Sequence, residues 1–382
     1  MCKEITINII KSLGDKMKNK LWIIIPIIIG GIGGFFSGIY DVNLNFIDKI
    51  MIVLAIFLLE LVIFTISHEL SHGFVAEKNG LKFSVLYLGP FTFKRENNKF
   101  TRIKGISKQM IYLGRAQIDN GEILNKQDIE KTKQAWIRAL KAGPNSDMTL
   151  SILMIILALS IKLPELIVAT LLLDVVFISS YIIGDGKHIK SLKNDKVFAD
   201  VILYTYSIAG NRLVSKQSKD FLINRLINDI EENEVSESNI VSMALCAHSV
   251  YVEGVCNNIK SLPHNINKIV ELSIKYKNIF MKKQIESSYY RGIINTAILY
   301  EALINNDKEK ALELYKYVKN ENHNLPGEML DFYRVEHVLG IANRKREILN
   351  ENLMNPAFKG CEGVENIEKT LNKLTLEKDK TM

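Results

Sequence analysis

The chain has 382 residues, of which 47% are hydrophobic and 24% are charged, and its formal net charge is +7. The apolar residues are concentrated between residues 21 and 184, and the rest reads as an ordinary charged, soluble sequence. The four cysteines match neither a metal knuckle nor a dense disulfide framework, which favours a reducing cytosolic setting for the C-terminal part. Membrane topology explains the positive charge, and nucleic acid is not expected as a partner.

Four apolar segments are candidates for membrane spans. Three of them approach the roughly 20 residues that a helix needs to cross the hydrocarbon core. The third in chain order is shorter, and neighbouring residues with a snorkelling Lys162 could extend it. We interpret the first as a retained span and not as a signal peptide, because it is long and no small-residue cleavage site follows it. The segments are Leu21–Tyr40, Ile50–Ser67, Met148–Ile161 and Pro164–Gly184.

Lysine and arginine are distributed unevenly among the connections. They are frequent before the first span, in the connection 77–147 and beyond residue 187, whereas the two short connections carry one lysine each. The positive-inside rule therefore places both termini and the long connection in the cytosol. The sequence predicts a multi-pass protein of the cell membrane with both termini cytosolic. Its composition, rich in Lys, Ile and Asn, suggests a bacterial source.

Three regions next to the predicted spans have patterns of their own. Residues 1–20 alternate apolar and basic side chains, as in an amphipathic helix on the inner leaflet, although a solvated tail explains them equally well. Residues 82–104 are rich in β-branched and aromatic residues, with turn signals at Gly89–Pro90 and Asn97–Asn98. This pattern predicts short strands, forming a hairpin close to the inner membrane face. Residues 122–141 are predicted to be a helix that leads into the third span.

From about residue 195 onward the pattern is helical. The clearest unit is 293–320, where two amphipathic helices meet at residues 305–307 in the manner of a tetratricopeptide-type hairpin. Weaker pairs fall at 239–275 and 327–353, and a plain helical bundle is the alternative. The predicted fold is mainly α, with an amphipathic segment at 1–20, a membrane core at 21–190 and an all-helical cytosolic domain at 195–382.

The motif HELSH, residues 68–72, lies where the second predicted span meets the cytosol. Residues i and i+4 share one face of a helix, so His68 and His72 can offer imidazole nitrogens to a single metal ion. Glu69 lies about 100° further round the helix, where it could accept a proton from a water molecule that the metal activates. This is the HExxH arrangement of zinc proteases, in which zinc lowers the pKa of bound water to about 7. The alternative is a polar cluster that snorkels at a helix end.

A catalytic zinc ion commonly has three protein ligands. No histidine follows at the spacing that would supply the third, Glu77 is too close along the chain, and Glu96 falls in the predicted hairpin. Asp185 ends the fourth span on the same side of the membrane in the predicted topology. We therefore predict that Asp185 completes the metal site. The alternative for Asp185–Gly186 is a turn that terminates a helix.

With these features, residues 50–190 resemble the site-2 protease family of intramembrane zinc metalloproteases. In that family one core span carries HExxH, a Gly–Pro motif opens the next, and a span containing Asp–Gly supplies the aspartate that completes the zinc site. These features correspond to HELSH, Gly143–Pro144 and Asp185–Gly186 here. The strand-rich stretch after HELSH is similar to a membrane-associated β-loop that is proposed in the family to hold an extended substrate.

Three positions depart from the family pattern. Family members often carry Asn after Gly–Pro, where this chain has Asp147. They also often carry Asn and Pro ahead of Asp–Gly, where this chain has Phe177 and Ser180. Two further acids, Glu60 and Asp174, lie inside predicted spans. They could line a water path or contact substrate, and pairing with Ser, Thr or backbone groups of neighbouring helices explains them equally well.

The resemblance implies a zinc-dependent endopeptidase that cleaves a membrane-embedded segment of a protein or peptide near the cytosolic face. Glu69 would be the catalytic acid and base, and His68, His72 and Asp185 would bind Zn²⁺. The alternative is a catalytically inactive membrane adaptor whose helical cytosolic domain binds a protein partner. A third possibility is the maturation of a secreted peptide, or protection against one, by the same chemistry.

Overall fold

A computed structural model describes residues 46–97, 99–103, 114–212, 214–282, 284–323, 326–350 and 361–378. The protein is mainly helical with one small antiparallel sheet, as predicted. The predicted amphipathic segment at 1–20 and the first predicted span, at 21–40, lie outside the described residues. The described chain divides into two compact units: one holds the residues up to His68 together with Gly143–Gly184, and the other holds Glu69–Ala142 and the residues from Asp185 onward.

Three helices coincide with the remaining predicted spans: α1 (Phe46–Lys78), α2 (Lys126–Ile161) and α3 (Pro164–Ile183). By length and composition each is apolar enough to cross a membrane. They expose many large apolar side chains, as expected of helices that face lipid. Examples of these exposed residues are Leu58, Leu59, Ile152, Leu153, Ile178 and Ile183. The structure is thus compatible with a membrane protein.

Helix α2 is longer than the sequence predicts. One helix of 36 residues joins the segment predicted as a separate helix to the short third span, and it contains Pro144. Proline lacks an N–H and crowds the carbonyl one turn earlier, which disfavours it inside a helix. A short turn at Lys162, whose φ is +56°, leads to α3, and Pro164 occupies the first turn of α3. The third predicted span is therefore the second half of a longer helix.

The predicted hairpin is part of a four-stranded antiparallel sheet in the order β3–β2–β1–β4. Both predicted turns are present, with Gly89 (φ +53°) and Asn97 (φ +48°) in the left-handed conformation that these residues tolerate. The sequence does not predict β4, which pairs with the whole of β1. The strands are β1 (Lys82–Leu88), β2 (Phe91–Glu96), β3 (Lys99–Arg102) and β4 (Gly114–Asp119).

The C-terminal part of the second unit is helical, as predicted. Its apolar side chains form one large buried core, centred on α5, α7 and α10. The helices are α4 (Asp185–Asn194), α5 (Lys196–Ile208), α6 (Lys216–Glu232), α7 (Ile240–Cys256), α8 (Ile266–Lys275), α9 (Lys277–Phe280), α10 (Gln284–Tyr300), α11 (Lys308–Tyr315), α12 (Pro326–Leu339), α13 (Lys345–Ile348) and α14 (Glu362–Glu377).

The helical hairpin predicted at 293–320 corresponds to α10 and α11. A π-helical turn, Glu301–Asn305, ends the first helix, and Asn306 then adopts a left-handed conformation. Asp307 caps α11 by accepting a hydrogen bond from the backbone N–H of Lys310 at 2.9 Å. The turn therefore lies where the sequence places it, and the tetratricopeptide assignment stays a prediction.

Candidate metal centre

His72 is buried on α1, and each of its ring nitrogens lies close to an oxygen atom. Nδ1 is 2.7 Å from the backbone carbonyl oxygen of Ala139, and Nε2 is 3.3 Å from Oδ2 of Asp185. A carbonyl oxygen can only accept a hydrogen bond, so Nδ1 donates, and the neutral ring carries its lone pair on Nε2. His72 thus directs a nitrogen that can bind a metal towards a carboxylate oxygen.

His68 lies one turn earlier and has the same arrangement. Its Nδ1 is 2.7 Å from Oδ2 of Asp147, and because a carboxylate accepts, Nδ1 again donates and Nε2 carries the lone pair. The ring also stacks on Phe177, with 6.1 Å between the ring centroids. The neighbouring Ser67 hydroxyl bonds to the Ser146 hydroxyl at 2.7 Å, which adds a second link between α1 and α2. These contacts fix the orientation of the His68 ring.

The structure brings the three predicted ligands together. The boundary between the two units crosses α1 after His68, but the helix is continuous there, so one helical turn sets the spacing of the two histidines. One ligand atom from each of His68, His72 and Asp185 lies within 4.8 Å of the others. Two imidazole nitrogens and one carboxylate oxygen are a donor set that suits Zn²⁺. The residues present therefore fit the metal that the resemblance implies.

A break in the helix positions Asp185. Helix α3 ends at Ile183, and Gly184 has φ −98° and ψ −102°, with its N–H donating to the carbonyl oxygen of Ser180 at 2.7 Å. A Cβ atom at position 184 would lie only 2.9 Å from that oxygen, which explains why glycine stands there. Asp185 is then the first residue of α4. The helix therefore ends one residue before the Asp–Gly pair, and the aspartate begins a new helix.

Gly73, directly after HELSH, allows the sheet to approach α1. A Cβ atom at this position would lie 2.1 Å from the ring of Phe83 on β1. Phe83 is buried, and the guanidinium of Arg95 lies over its ring, 5.4 Å from the centroid. Arg95 also forms an ion pair with Glu77 on α1 at 2.7 Å. The sheet is thus held against the turns of α1 that follow the histidines.

The other acids considered at the sequence level have different partners or positions. Glu77 pairs with Arg95, and Glu96 lies 3.0 Å from the ammonium group of Lys94. Neither belongs to the group of potential metal ligands found among the described residues. Glu69 is half-buried on α1 and adjacent to His68. Its place on the flank of the two histidines follows from helix geometry.

The residues that orient the two histidines were not predicted from the sequence. Asp147 stands out there only as a departure from the family pattern, and nothing in the sequence indicates a role for the carbonyl group of Ala139. Both partners lie on α2, more than sixty residues along the chain from the histidines. Helical periodicity does not tell which residue of one helix faces which residue of another. The available signal was an ionisable side chain in an otherwise apolar segment.

The two acids inside predicted spans have hydrogen-bond partners on other helices. The Thr170 hydroxyl donates to Oε1 of Glu60 at 2.7 Å, and the Ser151 hydroxyl donates to Oδ2 of Asp174 at 2.7 Å. The predicted pairing with serine and threonine is therefore present. These contacts join α1 to α3 and α2 to α3 within the first unit.

Comparison of the chain with protein-family models, with curated proteins and with solved structures finds no match in any of the three. The assignment of a function therefore depends on the residues and contacts described above. The nitrogen and oxygen donors of His68, His72 and Asp185 and the orientation of the two histidine rings say most about the function.

Proposed function

We propose that this chain is a zinc-dependent intramembrane endopeptidase of the site-2 protease type. The observation that carries the proposal is the pair formed by Nε2 of His72 and Oδ2 of Asp185, 3.3 Å apart, next to a second histidine of the same orientation. His68, His72 and Asp185 would hold the zinc ion. When bound, the ion would supply Lewis-acid polarisation of the scissile carbonyl group and a lowered pKa of water at the site.

The remaining groups of the site have distinct roles in this proposal. Glu69 accepts a proton from the attacking water and delivers it to the leaving amine. Asp147 and the carbonyl oxygen of Ala139 keep the hydrogen on Nδ1 of each histidine, so that both rings present Nε2. The apolar side chains around the site limit the entry of bulk water and strengthen these electrostatic interactions.

The small sheet would help to hold the substrate. A transmembrane helix satisfies its backbone groups internally, so its peptide bonds become accessible only after local unwinding. Among the described residues, β3 pairs only with β2, and its four residues are exposed. An unwound segment could add to this edge as a further strand and so regain backbone hydrogen bonds. In the same proposal the C-terminal helices recruit the substrate or regulate its access.

The test is cleavage by the full-length protein in liposomes that also contain a panel of fluorogenic peptides with apolar, membrane-spanning sequences. We expect the wild type to cleave at least one peptide near one end of its apolar segment. Glu69→Gln should lower the rate at least ~100-fold, the typical contribution of a general acid or base, while zinc content stays unchanged. Glu130→Gln, an exposed glutamate on α2, is the matched control and should cleave normally.

Two outcomes would contradict the proposal. Equal cleavage by wild type and Glu69→Gln would remove Glu69 from the mechanism. A wild-type protein that binds zinc and cleaves no member of the panel would favour the adaptor alternative, in which the helical domain binds a partner and the core is inactive.

A further inference from the structure

Five polar side chains form a continuous row between the apolar helices of the first unit. The polar row consists of Asp147, Ser151, Asp174, Glu60 and Thr170. Ser151 bonds to Asp174 and Thr170 bonds to Glu60, each at 2.7 Å. Asp147 and Ser151 are four residues apart on α2, and Thr170 and Asp174 are four residues apart on α3, so each pair shares one helical face. The row thus begins at the partner of His68 and continues deeper into the helices.

Two buried oxygen atoms in the polar row have no hydrogen-bond partner among the residues that the structure describes. Glu60 is only 1% exposed, and its Oε2 atom has none, although Oε1 accepts from Thr170. Asp147 is 5% exposed, and its Oδ1 atom has none, although Oδ2 accepts from His68. A buried acceptor without a partner costs roughly 1–3 kcal/mol, so such an atom indicates a water molecule or ion at that position.

The scarcity of basic residues near the polar row is a second, independent indication of water there. In the described part of the first unit the only lysines are Lys49 and Lys162, there is no arginine, and neither lysine forms an ion pair with an acid of the row. Among the described residues, only Asp147 of the three acids in the row has a basic partner, His68, and the carboxyl groups of Glu60 and Asp174 are costly in an apolar environment unless water solvates them. Ordered water makes about three hydrogen bonds to such groups, which the row can offer.

We propose that the polar row is a hydrated path that leads water from the His68–Asp147 pair through the apolar helices towards the turn between α2 and α3. Glu60 and Asp147 hold the water molecules through their second carboxylate oxygens, and Thr170 and Ser151 anchor the carboxyl groups of Glu60 and Asp174. Thr170 lies six residues after Pro164, the first residue of α3. The row therefore ends about 9 Å along the helix from that turn.

The aromatic side chains next to the row determine its course. Phe64 lies on α1 between Glu60 and His68, is fully buried and stacks on Phe177 with 5.7 Å between the ring centroids. A route along α1 would pass these two apolar rings, which offer water no hydrogen-bond partner. Water must therefore pass along the side formed by Ser151 and Asp174 on the other two helices.

The test is water-edited solid-state NMR of the full-length wild type in liposomes of phosphatidylethanolamine and phosphatidylglycerol, with ¹³C-labelled threonine and alanine. The experiment measures how fast magnetisation passes from water protons to each side chain. The Thr170 signal is identified by its loss in Thr170→Val. Ala158, buried in an apolar cluster of the same unit, is the dry control, and Thr101, exposed on β3, is the wet control.

We expect the transfer to Cβ of Thr170 to be several-fold faster than that to Cβ of Ala158. Glu60→Leu should slow the transfer to Thr170 to the rate of Ala158 and leave Thr101 unchanged. Equal rates for Thr170 and Ala158 in the wild type would overturn the proposal, whether or not Glu60→Leu folds. Fast transfer that persists in a folded Glu60→Leu protein would overturn the role of Glu60. Because the measurement involves neither zinc nor cleavage, the path can fail while the proposed peptidase stands.

Discussion

Asp147 accepts a hydrogen bond from Nδ1 of His68 at 2.7 Å and so links α2 to the first histidine of HELSH. Ligand histidines in metalloproteins almost always donate their other ring nitrogen to a carboxylate, a carbonyl group or water. Here His68 uses a carboxylate, and His72 uses the carbonyl oxygen of Ala139. Each partner holds Nδ1 of its ring, so both rings keep Nε2 for ligation.

Replacing Asp147 should weaken zinc binding without removing a ligand. Asp147→Leu deletes the acceptor of the His68 hydrogen bond, and we expect the zinc affinity to fall by about 10–100-fold. Asp147→Asn retains a neutral acceptor and should have an intermediate effect. The measurement is competition with a chromophoric chelator, and Asp48→Asn, near the start of α1, is the control. An unchanged affinity in both variants would mean that Asp147 does not orient His68.

Removing Asp185 should have a larger effect, because a ligand and not its partner is lost. We expect Asp185→Ala and His68→Ala each to lower the zinc affinity by more than ~100-fold. His264→Ala, an exposed histidine in the helical domain, is the control and should bind zinc normally. Metal content after dialysis and chelator competition are the measurements. Full occupancy in Asp185→Ala would exclude this residue as a ligand.

The local parts of the structure could be predicted from the sequence. Apolar length locates three helices, and left-handed Gly89 and Asn97 confirm both predicted turns of the sheet, because glycine and asparagine tolerate that conformation. The spacing within HELSH places His68 and His72 on one helical face. Each of these predictions depends on residues that are close in the chain.

Long-range contacts could not be predicted with the same detail. The sequence gives no sign of β4, because the residues between it and β3 interrupt the pattern of the hairpin. The partner of His68 also remained hidden, since helical periodicity marks Asp147 as an acid in an apolar segment but does not say which helix it faces. The pairing of His72 with Asp185 was predicted only through the membrane topology and the family resemblance. Side-chain contacts between two helices depend on how each helix is rotated about its axis and shifted along it. The sequence of a single helix determines neither.

Gly73→Ala should destabilise the contact between α1 and the sheet. The added methyl group would lie 2.1 Å from the buried ring of Phe83, which is also held under Arg95. Overpacking of this kind costs about 1–3 kcal/mol. Gly292→Ala is the matched control, because its methyl group would lie 3.7 Å from His248 and the change favours the helix. Thermal unfolding in detergent should give a lower Tm for Gly73→Ala only, and equal Tm values would contradict the close contact.

The contribution of Asp200 to the stability of the helical domain should fall as the pH rises from about 4 to about 6. Burial raises the pKa of Asp200 from 3.8 to about 6, against the opposing effect of Arg225, which pairs with it at 2.6 Å, while Asp229 adds repulsion. A raised pKa means that the folded state holds the proton more tightly. The contribution of this group is therefore complete below about pH 4 and is lost as the pH passes about 6.

Asp200→Asn should remove this pH dependence, because the amide does not titrate. We expect the Tm of the variant, relative to the wild type, to rise between about pH 4 and about pH 7. Asp220→Asn, an exposed aspartate on α6, is the control and should follow the wild type. A constant difference in Tm between Asp200→Asn and the wild type over this range would show that the pKa of Asp200 is not raised on folding.

Asn306 makes the turn of the α10–α11 hairpin possible through its backbone conformation. Its φ of +53° and ψ of 27° lie in the left-handed region. Most residues with a Cβ atom adopt this region at a cost of roughly 1–2 kcal/mol, whereas asparagine and glycine tolerate it best. Asn306→Ala should therefore lower the free energy of unfolding by about 1 kcal/mol, and Asn306→Gly should change it by only a few tenths. Thermal or chemical unfolding of the three proteins in detergent gives the order of stability. A variant Asn306→Ala as stable as Asn306→Gly would show that this turn does not require the left-handed conformation.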